Sequence, residues 1–119
     1  MDVESFRSNC LARKGVTESF PFDDKTLVFK VMGKMFALLS LDAEPPTANL
    51  KCEPLKAEEL REQYPDEVLP GYHMNKRHWN TVVLEGGLPD SLLRELIDHS
   101  YELVVAGLPK KIRAEWERL

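Results

Sequence analysis

Cysteine is scarce in this chain of 119 residues, which contains only Cys10 and Cys52. Two cysteines are too few for the disulfide framework of a small secreted domain. Cys10 lies four residues after Phe6 on one face of a predicted helix, and Cys52 alternates with Leu50 on a predicted strand. Free cysteine is among the most buried residue types. We therefore predict that both thiols are reduced and buried as small apolar residues.

Long apolar segments are also missing. The longest apolar run without a charge, Met35 to Leu41, is far too short to span a bilayer. The first residues, Met-Asp-Val-Glu, have neither the basic nor the apolar region of a secretory signal. These absences predict a cytoplasmic protein that has no membrane partner.

The chain lacks the motifs of common enzyme classes, including the glycine-rich phosphate-binding loops, the paired histidines of zinc peptidases and paired C-x-x-C sequences. Asp98, His99 and Ser100 are the residue types of a catalytic triad, but neighbours on a helix point about 100° apart and cannot form a relay. We interpret Asp98 and His99 as surface residues. His73 and His78 match no standard spacing of metal ligands. The sequence therefore predicts a protein that is not an enzyme and has no metal or cofactor.

Positive charge is in short supply. The chain has 16 lysines and arginines against 20 acidic residues, which gives a formal net charge of -4. Proteins that bind nucleic acid without sequence preference usually carry an excess of basic residues, because neutralising phosphates supplies most of their affinity. If this chain binds nucleic acid, it must do so through a local basic patch.

What the sequence does contain is the pattern of one α+β domain that spans residues 1–119. At this length, a composition of 43% hydrophobic residues supports a core without disulfides or metal. Helical and alternating periodicities divide the chain into elements. The predicted elements are a helix at Val3–Lys14, a loop at Val16–Asp24, strands at 25–32, 35–41 and 48–53, a helix at Pro54–Tyr64, a brief edge strand at Val68–Pro70, a strand at His78–Leu84, a helix at Ser91–Ala106 capped by Asp90, and a short last helix around Ile112 to Leu119. We expect an antiparallel sheet of about five strands, with the N-terminal and C-terminal helices packed on one face.

The stretch from Gly71 to Asp90 is the centre of this organisation. Residues 71–77 are polar and basic and include no acid, while residues 78–84 have the β-branched and aromatic composition of a strand. Residues 85–90 form a turn that leads into the longest predicted helix. We therefore expect the preceding strands to build a sheet around this strand, and the following helix to cover it.

The same stretch resembles the signature of the MmcQ/YjbR family. The resemblance is carried by the run from His73 to Val82, by Leu-Pro-Asp at 88–90 and by Asp98-x-Ser100-Tyr101, and it extends over nearly the whole chain. Members of this family are small bacterial proteins usually labelled as predicted DNA-binding proteins. The resemblance implies a frataxin-like (CyaY-like) α+β fold described as a double wing.

The basic part of this stretch is the best functional candidate. Lys76, Arg77, His78 and Trp79 place two cations, a titratable ring and a large aromatic in four residues. That mixture suits phosphate contacts combined with stacking on bases. The lysines on or beside the predicted hairpins extend this patch if the sheet brings them together: Lys30, Lys34, Lys51 and Lys56. In the alternative interpretation, Trp79 is a core aromatic, and Lys76 and Arg77 are solvated loop charges.

These features predict a DNA-binding protein that contacts phosphates weakly and in a salt-dependent way. Two other classes stay open. A protein-interaction module would use the acidic helix that contains Glu58 to Glu62, and a small-molecule binder would use a pocket between the sheet and the helices. A contiguous positive surface would favour DNA, a deep apolar pocket would favour a ligand, and an exposed apolar patch would favour a protein partner.

Overall fold

A computed structural model describes residues 1–119, which form one six-stranded antiparallel sheet and four helices. The elements are α1 (Val3–Leu11), β1 (Val16–Ser19), β2 (Thr26–Val31), β3 (Lys34–Ser40), β4 (Thr47–Lys51), α2 (Pro54–Gln63), β5 (Val68–Pro70), β6 (Trp79–Val83), α3 (Asp90–Ala106) and α4 (Lys110–Glu117). The strands lie in the order β1-β2-β3-β4-β6-β5. The predicted α+β class is confirmed, and the sheet has six strands rather than about five.

The additional strand is β1, in the segment that we predicted to be a loop. Val16 pairs with Val31 of β2, so this short edge strand extends the sheet by one position. Glu18 shares the helix-covered face with Val16 and binds Arg7 of α1, with 2.8 Å between Arg7 Nε and Glu18 Oε2. A carboxylate therefore occupies a position where an alternating pattern would have an apolar residue. The prediction was wrong because a partly exposed ion pair replaces the hydrophobic signal of a strand.

The central strand β3 is buried on both faces, as its apolar run predicted. A two-residue turn joins it to β2, with φ of 50° at Met32 and 84° at Gly33. Positive φ at both central residues is the geometry that matches the twist of a two-residue hairpin. The strands that we predicted at 25–32 and 35–41 imply a turn at 33–34, and the observed turn lies one residue earlier.

All four helices pack on one face of the sheet, where 24 buried residues form the main core. Phe6 of α1 makes an edge contact with Phe29 of β2, and Phe36 of β3 makes one with Tyr101 of α3. The Tyr101 hydroxyl donates to the Lys14 carbonyl at 2.6 Å and accepts from the indole nitrogen of Trp116 at 2.8 Å. The helix α3 is therefore the main cover of the sheet, as its apolar stripe predicted.

Ser100 is a polar residue within this core and has no exposed surface. Its hydroxyl accepts from the Lys51 amide at 2.9 Å and donates to the Phe36 carbonyl at 2.5 Å. A buried hydroxyl is tolerated in a core when its hydrogen bonds are made. Ser100 therefore fastens α3 to β3 and β4.

The neighbours of Ser100 have structural partners as well. Asp98 is exposed and forms an ion pair with Arg13. His99 is half-buried, and its Nε2 atom accepts the Glu53 amide hydrogen at 3.1 Å. Burial, together with the nearby Lys56 cation, lowers the pKa of His99 below its ordinary value. His99 therefore lies at the surface but is less exposed than Asp98, because its ring takes part in docking the start of α2.

The two cysteines are free and buried, as predicted. Burial raises the pKa of Cys10 to about 12 and that of Cys52 to about 11. Because the thiolate is the reactive form of cysteine, both side chains behave as inert apolar groups near neutral pH. None of the four helices combines the length and hydrophobicity needed to cross a bilayer.

Candidate nucleic-acid interface and open-face groove

The face of the sheet opposite the helices, which we name the open face, carries no helix. One row of cross-strand partners on this face consists of Ser19, Val28, Leu38, Asn49, Thr81 and Leu69. Val28 and Leu38 form a small buried cluster with Trp79, against which Met35 and Met74 pack. The open face therefore has a core of its own, which is covered by a loop rather than by a helix.

That loop spans Gly71–His78 and is named the signature loop. Its first half is held by Asn49 and Thr81, which are partners on neighbouring strands. The Tyr72 amide donates to Thr81 Oγ1 at 2.9 Å, and Asn49 Nδ2 donates to the Tyr72 carbonyl at 3.1 Å. The Thr81 hydroxyl in turn donates to Asn49 Oδ1 at 2.5 Å. These bonds lay the loop across the open face.

The second half of the signature loop is held by its own side chains. Asn75 Oδ1 accepts the amide hydrogens of Arg77 at 2.9 Å and His78 at 3.2 Å. This is the local turn bonding for which asparagine is favoured. Lys76 Nζ donates to the Gly71 carbonyl at 2.9 Å. The charged side chains of Lys76 and Arg77 are therefore attached to a fixed backbone.

Arg61 of α2 fastens this loop to the rest of the protein. Its Nε donates to Asn80 Oδ1 at 2.7 Å, and its Nη2 donates to the carbonyls of Trp79 at 3.3 Å and of Lys76. We did not identify Arg61 or Asn80 from the sequence. The available signal was the position of Arg61 directly after Leu60, on the side of α2 that the apolar residues occupy.

Gly71 is a position at which the loop has no space for a side chain. A Cβ atom there would lie 2.8 Å from Trp79 Cβ and 2.9 Å from the Trp79 carbonyl oxygen. We expect Gly71→Ala to lower the free energy of unfolding by about 1–3 kcal/mol, because neither neighbouring atom can move without shifting β6.

Gly107→Ala is the matched control for this substitution. A Cβ atom on Gly107 meets nothing closer than 3.6 Å, and its φ of -90° suits alanine. We expect that variant to be neutral or more stable by about 0.4–1 kcal/mol, since alanine restricts the unfolded chain. Urea denaturation of both variants measures the difference. Equal stabilities for the two would show that Gly71 is not confined as described.

Trp79 was predicted to contact nucleic acid, and the structure corrects this. Only 9% of its surface is exposed, and its ring packs with Val28 and Leu38. A base cannot stack on a ring whose faces are covered by the core. Trp79 therefore anchors the signature loop, in agreement with the alternative interpretation.

Five of the six predicted cations, all except Lys56, lie at one end of the sheet, where β2 and β4 end and where β3 and β6 begin. We name this the basic end, and its members are Lys30, Lys34, Lys51, Lys76 and Arg77, with the exposed His78 beside them. None of these five cations forms an ion pair, whereas Lys56 lies 3.6 Å from Glu95 on the helix side. The acidic residue nearest to these cations in the sequence is Glu53, two residues after Lys51. Its carboxylate accepts the amide hydrogens of Leu55 and Lys56 at the start of α2.

Lys34 and Lys51 reach different parts of the basic end. Lys51 is the cross-strand partner of Trp79 and so belongs to the open face. Lys34 is the partner of Val31, whose side chain lies in the helix-side core. Both lysines line a shallow hollow of about 320 Å³ beside Gly107, at the C-terminal end of α3. The basic end therefore includes cations from both faces of the sheet, with Lys51 on the open face and Lys34 on the helix side.

The opposite end of the sheet is acidic. The loops that join β1 to β2 and β3 to β4, the residues before β5 and the residue pair after β6 contribute Asp23, Asp24, Asp42, Glu44, Asp66, Glu67 and Glu85, which we name the acidic end. Lys25 is the one basic residue within these segments. The fold thus separates charges that are mixed along the chain.

The largest cavity lies on the open face and has a volume of about 550 Å³. It runs between the β1–β2 loop, which contributes Phe22 and Asp23, and the signature loop, which contributes Tyr72 and His73. We predicted that a small-molecule pocket would lie between the sheet and the helices; the structure has only the shallow hollow beside Gly107 there, and its largest cavity is on the open face instead. The large side chains of the main core fill the space beneath the helices.

The fold and this loop define the class of the protein: a small antiparallel α+β domain with helices on one face and a hydrogen-bonded loop over the other. The family model YjbR matches residues 11–103. The chain therefore belongs to the YjbR family, in agreement with the resemblance of its signature. No group of three or more histidine, cysteine or acidic side chains is arranged as a metal site.

Similar proteins support this membership. The chain is 39% identical over 113 residues to the uncharacterized protein YjbR of Escherichia coli (strain K12), and these residues make up 95% of each chain. It is 44% identical over 92 residues to the uncharacterized protein YbdF of Escherichia coli O157:H7, covering 77% of this chain and 75% of YbdF. The crystal structure of Deinococcus radiodurans DR2400, with domain DUF419, has a TM-score of 0.90 at 45% identity and covers 98% of this chain and 88% of that chain. A crystal structure from Pseudomonas syringae has a TM-score of 0.72 at 26% identity and covers 87% of this chain and 98% of that chain.

Proposed function

We propose that this protein binds DNA weakly through phosphate contacts made by the basic end. The observation that carries the proposal is the group of five cations at strand termini, none of which has a carboxylate partner in the fold. A cation that is already in an ion pair must give up its carboxylate partner to bind a phosphate. These five cations have no carboxylate partner to give up. Their grouping gives an acidic chain the local positive charge that binding to phosphates requires.

Lys76 and Arg77 are the principal contacts in this proposal. Both are exposed on the signature loop, and the backbone between them is fixed by Asn75. They lie on a loop at a strand terminus rather than on a helix shaped to enter the major groove. Such residues suit contacts to phosphates, which position a protein on DNA without reading its sequence.

Lys30 and Lys51 extend the surface across the open face. Lys30 is on β2 and Lys51 is on β4, with β3 between them. Since neighbouring strands are about 4.7–4.9 Å apart, their backbones are separated by about 10 Å. The acidic end repels phosphates at the far side of the sheet, so we expect the protein to approach DNA in one orientation.

A salt titration of the wild-type protein with random and genomic duplexes tests the proposal. Each phosphate neutralised contributes about -0.9 to the slope of log K against log salt concentration. Contacts by the two loop cations alone give a slope of about -1.8, and contacts by all five give about -4.5. We expect a slope between these values, equal affinity for both DNAs, and dissociation constants of about 10⁻⁴ to 10⁻⁶ M. Absence of binding at about 50 mM salt would contradict the proposal and favour the protein-interaction module.

A further inference from the structure

The groove on the open face has aromatic walls. Phe22, on the β1–β2 loop, is 65% exposed, and Tyr72, on the signature loop, is 69% exposed. The rings of Tyr72 and His73 lie 4.0 Å apart with an angle of 47° between them. Leu38 and Met74 are among the residues that line the groove between these walls. Large exposed aromatics around a concave apolar surface are characteristic of a binding site rather than of a solvated loop.

The charge of the groove is negative. Asp23 and Asp42 line it, and no lysine or arginine does. Asp23 Oδ1 accepts the amide hydrogens of Lys25 at 2.9 Å and Thr26 at 2.8 Å. These bonds hold the pKa of Asp23 below its usual range, so its carboxylate remains ionised near neutral pH. The groove therefore presents carboxylates beside exposed aromatic faces.

We propose that the open-face groove binds a small organic cation with an apolar body, of the arylalkylammonium class. An ammonium group is attracted by carboxylates and by the faces of aromatic rings, and both are present here. An apolar body fits over Leu38 and Met74. A phosphate or a carboxylic acid is disfavoured by the same two aspartates. The groove adjoins the basic end along the signature loop but carries the opposite charge, since Asp23 and Asp42 line it and no lysine or arginine does.

The walls of the groove are held in place before any ligand binds. His73 has a φ of 59°, a left-handed conformation that is uncommon for residues other than glycine, although histidine adopts it more often than most. The bonds from Asn49 and Thr81 to the backbone of Tyr72 maintain the adjacent residue. A site fixed in this way loses less conformational entropy on binding.

The experiment uses three probes of similar shape: 2-phenylethylammonium, 2-phenylethanol and 3-phenylpropionate. Each is titrated at pH about 8 into ¹⁵N-labelled protein, and amide shifts are followed. We expect saturating shifts with the ammonium at residues 22–26, 35–42 and 72–74, with a dissociation constant of about 1 mM, typical of a fragment of this size. We expect at least about tenfold weaker binding of the alcohol, and no binding of the carboxylate.

The double variant Asp23→Asn, Asp42→Asn tests the source of this preference. Asparagine keeps an Oδ1 acceptor for the β1–β2 turn, so folding is retained while both charges are removed. We expect the affinity for the ammonium to fall at least about tenfold.

The matched control is Asp66→Asn, Glu85→Gln, which removes two charges from the acidic end at residues that do not line the groove. We expect the control variant to bind the ammonium as the wild type does. Three results would each overturn the proposal: no saturating shifts at the groove up to about 10 mM ammonium, equal binding of all three probes, or equal losses in the two double variants.

Discussion

Replacing Ile97 by alanine is expected to lower the free energy of unfolding by about 2–5 kcal/mol. Ile97 has no exposed surface and lies in the main core, on the face of α3 that covers the sheet. Truncation removes its buried methyl groups and leaves a cavity that the surrounding strands cannot close. A domain of this kind has a total stability of about 5–15 kcal/mol, so the variant loses a large share of it.

Leu55→Ala is the control for this substitution. Leu55 is on α2 and is 68% exposed, so its truncation removes little buried surface. We expect a change within about 0.5 kcal/mol. Urea denaturation followed by circular dichroism measures both variants. A loss of less than about 0.5 kcal/mol for Ile97→Ala would mean that α3 is not the cover of the sheet.

The role of Ile97 could be predicted from the sequence because α3 repeats its apolar residues at helical spacing along 17 residues. The strand β1 could not be predicted in the same way. It is four residues long, and Glu18 faces the helix side through its contact with Arg7. Periodicity reveals elements whose buried face is apolar, and it misses an element that is stabilised by an ion pair to a distant residue.

The candidate site was predictable to the extent that its residues are close in sequence. The composition of residues 71–77 indicated a basic loop, and the structure has that loop, extended by His78. The contacts of Arg61 with Asn80 and with the loop carbonyls join positions 15 to 19 residues apart, and no local pattern encodes them. Trp79 is the first residue of a strand that is buried on both faces, so alternation did not distinguish a stacking ring from a core ring.

The grouping of Lys30, Lys34 and Lys51 with the loop depended on topology. Each lysine is near a strand terminus, and only the order and direction of the strands determine which termini share an end of the sheet. A net charge of -4 indicated weak binding to nucleic acid at most. The separation into a basic end and an acidic end shows why net charge alone is an incomplete guide to the partners of this fold.

The double variant Lys76→Ala, Arg77→Ala is expected to bind DNA about a hundredfold more weakly than the wild type at 50 mM salt. Each lost phosphate contact removes about 0.9 from the salt slope, and at this salt concentration that corresponds to about a tenfold loss per cation. The slope itself should become shallower by about two units. Because the contacts proposed for the two residues are to phosphates rather than to bases, random and genomic duplexes should be affected equally.

The matched control is Lys25→Ala, Arg94→Ala, which removes the same net charge from exposed positions outside the basic end. Neither residue forms an ion pair, so the two double variants differ mainly in where the charge is lost. Urea denaturation checks that loss of the bond from Lys76 to Gly71 has not unfolded the loop variant. If the loop variant binds normally, the contacts lie elsewhere, and Lys30→Ala, Lys51→Ala becomes the next test. If both double variants weaken binding equally, the interaction responds to net charge alone, and the basic end is not a binding surface.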